Sequence, residues 1–226
     1  MQIHRAPHHW ALTPRQAIAV QRWLAGRVSQ CGAGRPIRRV AGVDAAETLD
    51  GCSCIAAAVL WDLKERAVVE RQLAFRVLQF PYVPGLLSFR ETPSILAALR
   101  KLRNVPDALM CDAHGFAHPR RFGLACHVGV LCDVPTLGCA KSRLIGIHRE
   151  LVRRRGARVP LMDDGEAIGL VLRTQDSVKP VFVSVGHKID LRTAAQVVLS
   201  CAVRYRLPEP TRLADHLVRM ARVGSS

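Results

Sequence analysis

The stretch DAHGFAHPRR, residues 112–121, sets one acid, two histidines and two arginines side by side. Two chemistries fit Asp112, His118, Arg120 and Arg121. In one, Asp112 caps the end of a strand and the basic residues form a solvated helix start. In the other, Asp112 helps to hold a divalent cation beside groups that handle phosphate. Two further acids stand at positions of the second kind: Asp44, directly after the apolar run VAGV, and Glu91, after a loop stiffened by Pro81 and Pro84. If Asp44 and Asp112 meet at one sheet edge, their mutual repulsion and the cost of burying them are relieved by a cation. Hard oxygen ligands favour Mg²⁺, with Mn²⁺ as substitute, over zinc. Such an ion polarises a phosphoryl oxygen and activates water. Of His118 and Lys141, one can orient water or take its proton, and the other can neutralise developing phosphate charge. Each acid taken alone also reads as a cap or turn residue. His127, mid-helix among apolar residues, reads as structural. Arg120, Arg121, Lys141 and Arg143 are candidate phosphate contacts, whereas the run Arg153, Arg154, Arg155 reads as a solvated helix end.

The elements that must position these groups follow from periodicity. A helix is predicted over 12–28, with Thr13 as cap and Pro14 at the first helical position. Three strand-like runs, 37–47, 52–63 and 67–78, are separated by short gaps and should form an antiparallel meander. A helix over 92–105 follows the proline-rich loop, so that Glu91 opens it. The pattern then changes to strand (108–113), helix (119–133, from Pro119) and strand (135–141). Apolar strands alternating with helices imply a parallel portion covered on both faces. Strands at 167–174 and 180–187 and two helices, 191–205 and one after 208–212, complete the reading. The expected architecture is an α/β, ribonuclease H-like mixed sheet, in which an antiparallel three-strand meander is continued by parallel strands and flanked by helices. The whole of 1–226 reads as one domain.

Composition sets the partner class. The 226 residues are 49% hydrophobic and 23% charged, as in a globular protein. The formal net charge is +15, which favours an acidic polymer, most simply nucleic acid. No long apolar span or basic amphipathic helix points to a membrane, and the N-terminus lacks the apolar core of a signal peptide. The eight cysteines form no CxxC pair and most lie in apolar runs, which fits buried free thiols in a cytoplasmic protein rather than a zinc site.

Seven ordered blocks carry a resemblance: VAGVD (40–44), PYVPG (81–85), FRE (89–91), AHPRRFGLACHVGV (117–130), KSRLIG (141–146), VSVGHKIDL (183–191) and PEPTRLAD (208–215). Together they resemble the endonuclease V family of deoxyinosine-specific repair nucleases across nearly the whole chain. The resemblance implies a ribonuclease H-like fold and a Mg²⁺-dependent nick at the second phosphodiester bond 3′ to a deaminated base, leaving 3′-hydroxyl and 5′-phosphate ends. By motif position, Asp44, Glu91 and Asp112 resemble the acidic metal centre, His118 and Lys141 its accessory catalytic groups, and Asp215 the acid near the C-terminus, with His216 beside it. PYVPG resembles a wedge with Tyr82 at its tip and Pro84 behind it. Gly85, Gly138 and Ala113 resemble the backbone-lined pocket for hypoxanthine, although the family usually has glycine where this chain has Ala113. The AAE that follows Asp44 also departs from the family's small residue followed by an aromatic. The implied partner is inosine-containing DNA, acted on by a monomer. Inosine-containing RNA, another ribonuclease H-like incision or flap activity, and a non-catalytic nucleic-acid-binding homologue are the alternatives.

Overall fold

The computed structural model describes residues 3–32 and 34–223. Eight strands form one sheet in the order β3-β2-β1-β4-β5-β8-β7-β6. The meander is present: β1 (Arg39–Glu47) and β2 (Ser53–Asp62) pair antiparallel, as do β2 and β3 (Ala67–Val77). β4 (Ala108–Cys111) and β5 (Thr136–Ala140) then run parallel to β1. Beyond β5 the sheet turns antiparallel again through β8 (Val181–His187), β7 (Glu166–Leu172) and β6 (Arg158–Asp163). The parallel portion is therefore three strands wide.

Strand burial explains the continuous apolar runs. Ala41, Val43, Ala56, Ala58, Leu60, Leu109 and Cys111 pack with helices α2 (Leu87–Arg100) and α3 (Leu124–Cys132). Their sequence neighbours Val40 and Met110 point the other way, towards Ala194, Ala195, Val198 and Cys201 of α4 (Leu191–Cys201). Ile55, Ala57 and Val59 meet Ala214 and Val218 of α5 (Glu209–Val223) on that same side. A strand covered on both faces needs apolar residues at every position.

Several boundaries differ from expectation, and one strand was not foreseen. Helix α1 (Pro14–Ala25) starts as read, with a Thr13–Gln16 capping box, but stops three residues early. Helix α2 begins at Leu87, not Thr92, so Pro93 lies inside it and Glu91 in its second turn. Proline costs a helical hydrogen bond there, but the buried stripe Ser88, Phe89, Thr92, Ile95, Leu96 and Leu99 outweighs that loss. Helix α3 begins at Leu124, not Pro119. Residues 119–123 form a turn, in which Arg121 has φ +53° and the Gly123 N–H donates to Gly115 O at 3.0 Å. Helix α4 ends at Cys201, and α5 already starts at Glu209. The unforeseen strand, β6, joins β7 through Asp164–Gly165, both at positive φ (50° and 79°). An Asp-Gly pair is a strong two-residue hairpin signal.

Candidate active site

Parallel pairing of β1 and β4 aligns Val43 with Cys111, and the Asp112 N–H donates to Val43 O at 3.2 Å. Asp112 therefore follows the last residue of β4 and stands beside Asp44, which lies within β1 just past the point where the parallel pairing stops. A third acid reaches them from α5. The start of α5 lies directly on β1 at Gly42, where a Cβ would stand 2.2 Å from the Pro210 carbonyl carbon. Only glycine permits that approach, and it lowers Asp215 onto the same spot. One carboxylate oxygen from each of Asp44, Asp112 and Asp215 lies within 4.8 Å of the others. His216, the neighbour of Asp215, is exposed.

The electrostatics are those of crowded acids. Burial first, then the charges of Asp112 and Asp215, raise the Asp44 pKa to about 7. Glu91 is raised to about 8, chiefly by burial, then by Asp44 and Asp112. It lines the same cleft but stands outside the group of three. Asp112 is raised by burial against the opposing pull of Lys141. The Lys141 ammonium lies 2.5 Å from Asp112 Oδ2 and 3.7 Å from Asp215 Oδ1. Burial works to lower its pKa, but the hydrogen bond and charge of Asp112 hold it above the ordinary value. Arg219 also pairs with Asp215 (3.1 Å), so two cations face the three aspartates and Glu91. An all-oxygen donor set of this kind fits a hard divalent cation.

These acids line a cleft of about 620 Å³ that also includes Tyr82, Pro84, Gly85, Ala113, His118 and Lys141. Tyr82 is 69% exposed, not packed on the core. Gly85 has φ +77°, and its carbonyl receives hydrogen bonds from Gln21 Nε2 (3.0 Å), His118 Nε2 (3.1 Å) and an Arg120 guanidinium nitrogen (2.7 Å). At the other end of the loop, Arg90 donates to Phe80 O (2.7 Å) and pairs with Glu47 (2.6 Å).

Several candidates are placed differently from the sequence reading. His118 is 4% exposed. Its Nδ1 accepts the Arg120 N–H, which puts the proton on Nε2, facing Gly85 O. Burial, then the Arg120 charge, lowers its pKa to about 4, so it is neutral. Arg120 is engaged by Gln21 Oε1 as well as by Gly85. Arg121 is held by Asp163 (2.9 Å) and Glu166 (2.7 Å), the residues flanking the β6–β7 turn. Gly138 lies behind the cleft: a Cβ there would sit 2.4 Å from Ala113 O. Ala113 lines the cleft without a positive φ. Arg153 to Arg155 lie in a turn, not at a helix end, and Arg155 donates to the carbonyls of Thr174, Leu199 and Ala202. His127 is buried, as expected, between Ser88 and His8. Sequence reading missed Gln21 and Arg90, and on α5 Arg219 and Arg222, which line the cleft with Asp215. The signal for Gln21 was present: it is the polar member of the buried stripe Ala17, Gln21, Leu24 of α1.

A mixed sheet that sets two aspartates side by side where its parallel pairing ends, covered by helices on both faces, is a ribonuclease H-like fold with an acidic cluster in its cleft. A family model described as Endonuclease V matches residues 22–216. The chain is 50% identical over 218 residues to an Endonuclease V from Roseiflexus castenholzii, covering 96% of this chain and 97% of that one. The crystal structure of an Endonuclease V from Streptomyces avermitilis has a TM-score of 0.91 at 44% identity, with 99% of each chain covered. Endonuclease V of Ciona intestinalis, in complex with a 24mer DNA containing an inosine followed by a ribo-adenosine, has a TM-score of 0.81 at 25% identity, covering 94% of this chain and 98% of that one. The chain belongs to the Endonuclease V family.

Proposed function

We propose that this chain is a single-domain Mg²⁺-dependent repair endonuclease. It recognises deoxyinosine and nicks the strand at the second phosphodiester bond on the 3′ side, leaving 3′-hydroxyl and 5′-phosphate ends. The observation that carries this reading is the convergence of Asp44, Asp112 and Asp215 within 4.8 Å in a cleft shared with an exposed aromatic on a proline-stiffened loop. The inosine-containing DNA bound by the Ciona intestinalis enzyme supports the substrate.

Asp44, Asp112 and Asp215 would hold Mg²⁺, with Mn²⁺ as substitute. When bound, the ion supplies charge for a phosphoryl oxygen and lowers the pKa of water. Lys141 brings a fixed ammonium to the same point, where negative charge builds on the phosphate. Glu91 stands beside the group and, once ionised, would be the candidate to receive a proton from the attacking water. His118 has both ring nitrogens engaged and acts by fixing the loop that carries Tyr82. Tyr82 takes the place of the base that leaves the stack. Base–aromatic stacking is worth about 1–3 kcal/mol and flipping costs a few, so one ring offsets much of that cost.

Cleavage of matched inosine and undamaged oligonucleotides, with and without Mg²⁺, tests this reading. Metal-dependent nicking confined to inosine strands, with the new 3′-hydroxyl on the first nucleotide beyond the lesion, is expected. Equal cutting of undamaged strands would leave a ribonuclease H-like nuclease of other specificity. Because the Ciona intestinalis ligand carries a ribonucleotide directly after the inosine, the series includes that position as deoxyribose and ribose, and an all-RNA strand.

A further inference from the structure

We infer that Gln21, on helix α1, is a positioning residue that sets the Tyr82 loop for work on duplex substrate; the inference rests on the wedge role proposed above. Gln21 is wholly buried, 0% exposed, in an otherwise apolar stripe. A buried amide persists at such a position only if its hydrogen-bonding capacity is met. Here it is met by the loop and by what the loop leans on. Nε2 donates to Gly85 O (3.0 Å) and Phe122 O (2.7 Å), and Oε1 accepts from Arg120 Nε. The amide orientation is dictated by chemistry, because a flipped group would set its oxygen against two carbonyls. One side chain thus ties α1, the turn before α3 and the last residue of PYVPG into one unit.

Gly85 is the place where this matters. Its positive φ reverses the chain directly after Pro84, and its carbonyl takes three donors from two segments: Gln21 of α1, and His118 and Arg120 of the turn before α3. Of these, Gln21 also orients Arg120, so it controls two of the three. Within the loop itself, the Leu86 N–H donates to Val83 O at 2.9 Å, and Arg90 anchors Phe80 O at the far end. Tyr82 therefore stands on a short span whose C-terminal foot is set by α1. Among the described residues no hydrogen bond joins Gln21 to the acidic group, so its effect should pass through the loop.

The variants Gln21→Met and Gln21→Glu test this. Both are close in volume; Met removes every polar contact, and Glu keeps a partner for Arg120 but lacks the two amide donors. The reading is the ratio of cleavage rates on matched duplex and single-stranded inosine oligonucleotides, which does not depend on the folded fraction of the preparation. The ratio should fall about tenfold in both variants, and combining either with Tyr82→Ala should give the ratio of Tyr82→Ala alone, because residues in one unit are not additive. A parental ratio in either variant, or additive losses in the double variant, overturns the inference provided that Tyr82→Ala itself lowers the ratio. A parent enzyme that does not cut inosine strands overturns instead the function on which the inference rests.

Discussion

Asp44 and Asp112 are carried by paired strands in the middle of the sheet, where backbone register sets their spacing. Tyr82 stands on a few loop residues tied to the rest of the molecule by side chains that grip two carbonyls, Phe80 O and Gly85 O. One region derives its geometry from many cooperative backbone bonds and a core covered on both faces. The other derives it from a handful of individually replaceable contacts. The acidic group should therefore tolerate distant substitutions and fail only when a carboxylate is removed, whereas the loop can be detuned from several places without touching the acids.

The largest expected effect breaks the first region. Asp112→Asn should lower Mg²⁺-dependent cleavage by at least about a hundredfold on duplex and single strand alike, since a neutral amide is a poor ligand for a hard cation. Binding of inosine DNA should persist through the +15 net charge. A residual rate above roughly a tenth of the parental rate would remove Asp112 from the metal site.

Tyr82→Ala separates the two regions. Duplex inosine cleavage should drop about ten- to a hundredfold, corresponding to about 1–3 kcal/mol of stacking, while the single strand, which has no gap in a stack to fill, should lose much less. Equal losses on both substrates would place Tyr82 outside any wedge.

Metal addition sharpens the account of the acidic group through pH. Asp44 (about 7) and Glu91 (about 8) are both raised, so the metal-free folded state keeps protons that the unfolded chain has already released. Their contribution makes stability fall as pH rises from about 4 towards about 8. Bound divalent cation requires ionised ligands and should reverse this. At a hundredfold excess over Kd the gain is about 2.7 kcal/mol, or roughly 5–10 °C in thermal midpoint for a chain of this size. The rise should be larger near pH 8 than near about pH 6. A rise that shrinks with increasing pH would argue against carboxylate ligation.

The smallest effect concerns phosphate contacts. Arg121 is neutralised by Asp163 and Glu166, whereas Arg222 lines the cleft. Arg222→Gln should reduce the steepness of log affinity against log salt on duplex DNA by about 0.9, and Arg121→Ala should leave it nearly unchanged. The reverse result would exchange their roles.

The sequence by itself determined the meander, a parallel portion after it, and one aspartate in the first strand with another directly after the fourth. Continuous apolar runs, short gaps and alternation with helices are local signals, whereas the parallel pairing of β1 with β4 that carries Asp44 and Asp112 to one edge is a tertiary result. The Asp164–Gly165 hairpin is an equally local signal. Tertiary structure decided the rest. Asp215 joins the acids, and Glu91 stands beside them, because α5 rests on the bare backbone of Gly42 and because α2 starts five residues earlier than its proline suggests. Arg120 and Arg121 sit next to each other in a motif that reads as phosphate-binding, yet one is engaged by Gln21, 99 residues away, and the other by Glu166, 45 residues away. Periodicity reports which face of an element is buried. Which polar group a buried or half-buried side chain will satisfy depends on segments that only the folded chain brings together, and hydrogen-bond satisfaction in a low-dielectric interior then decides its role.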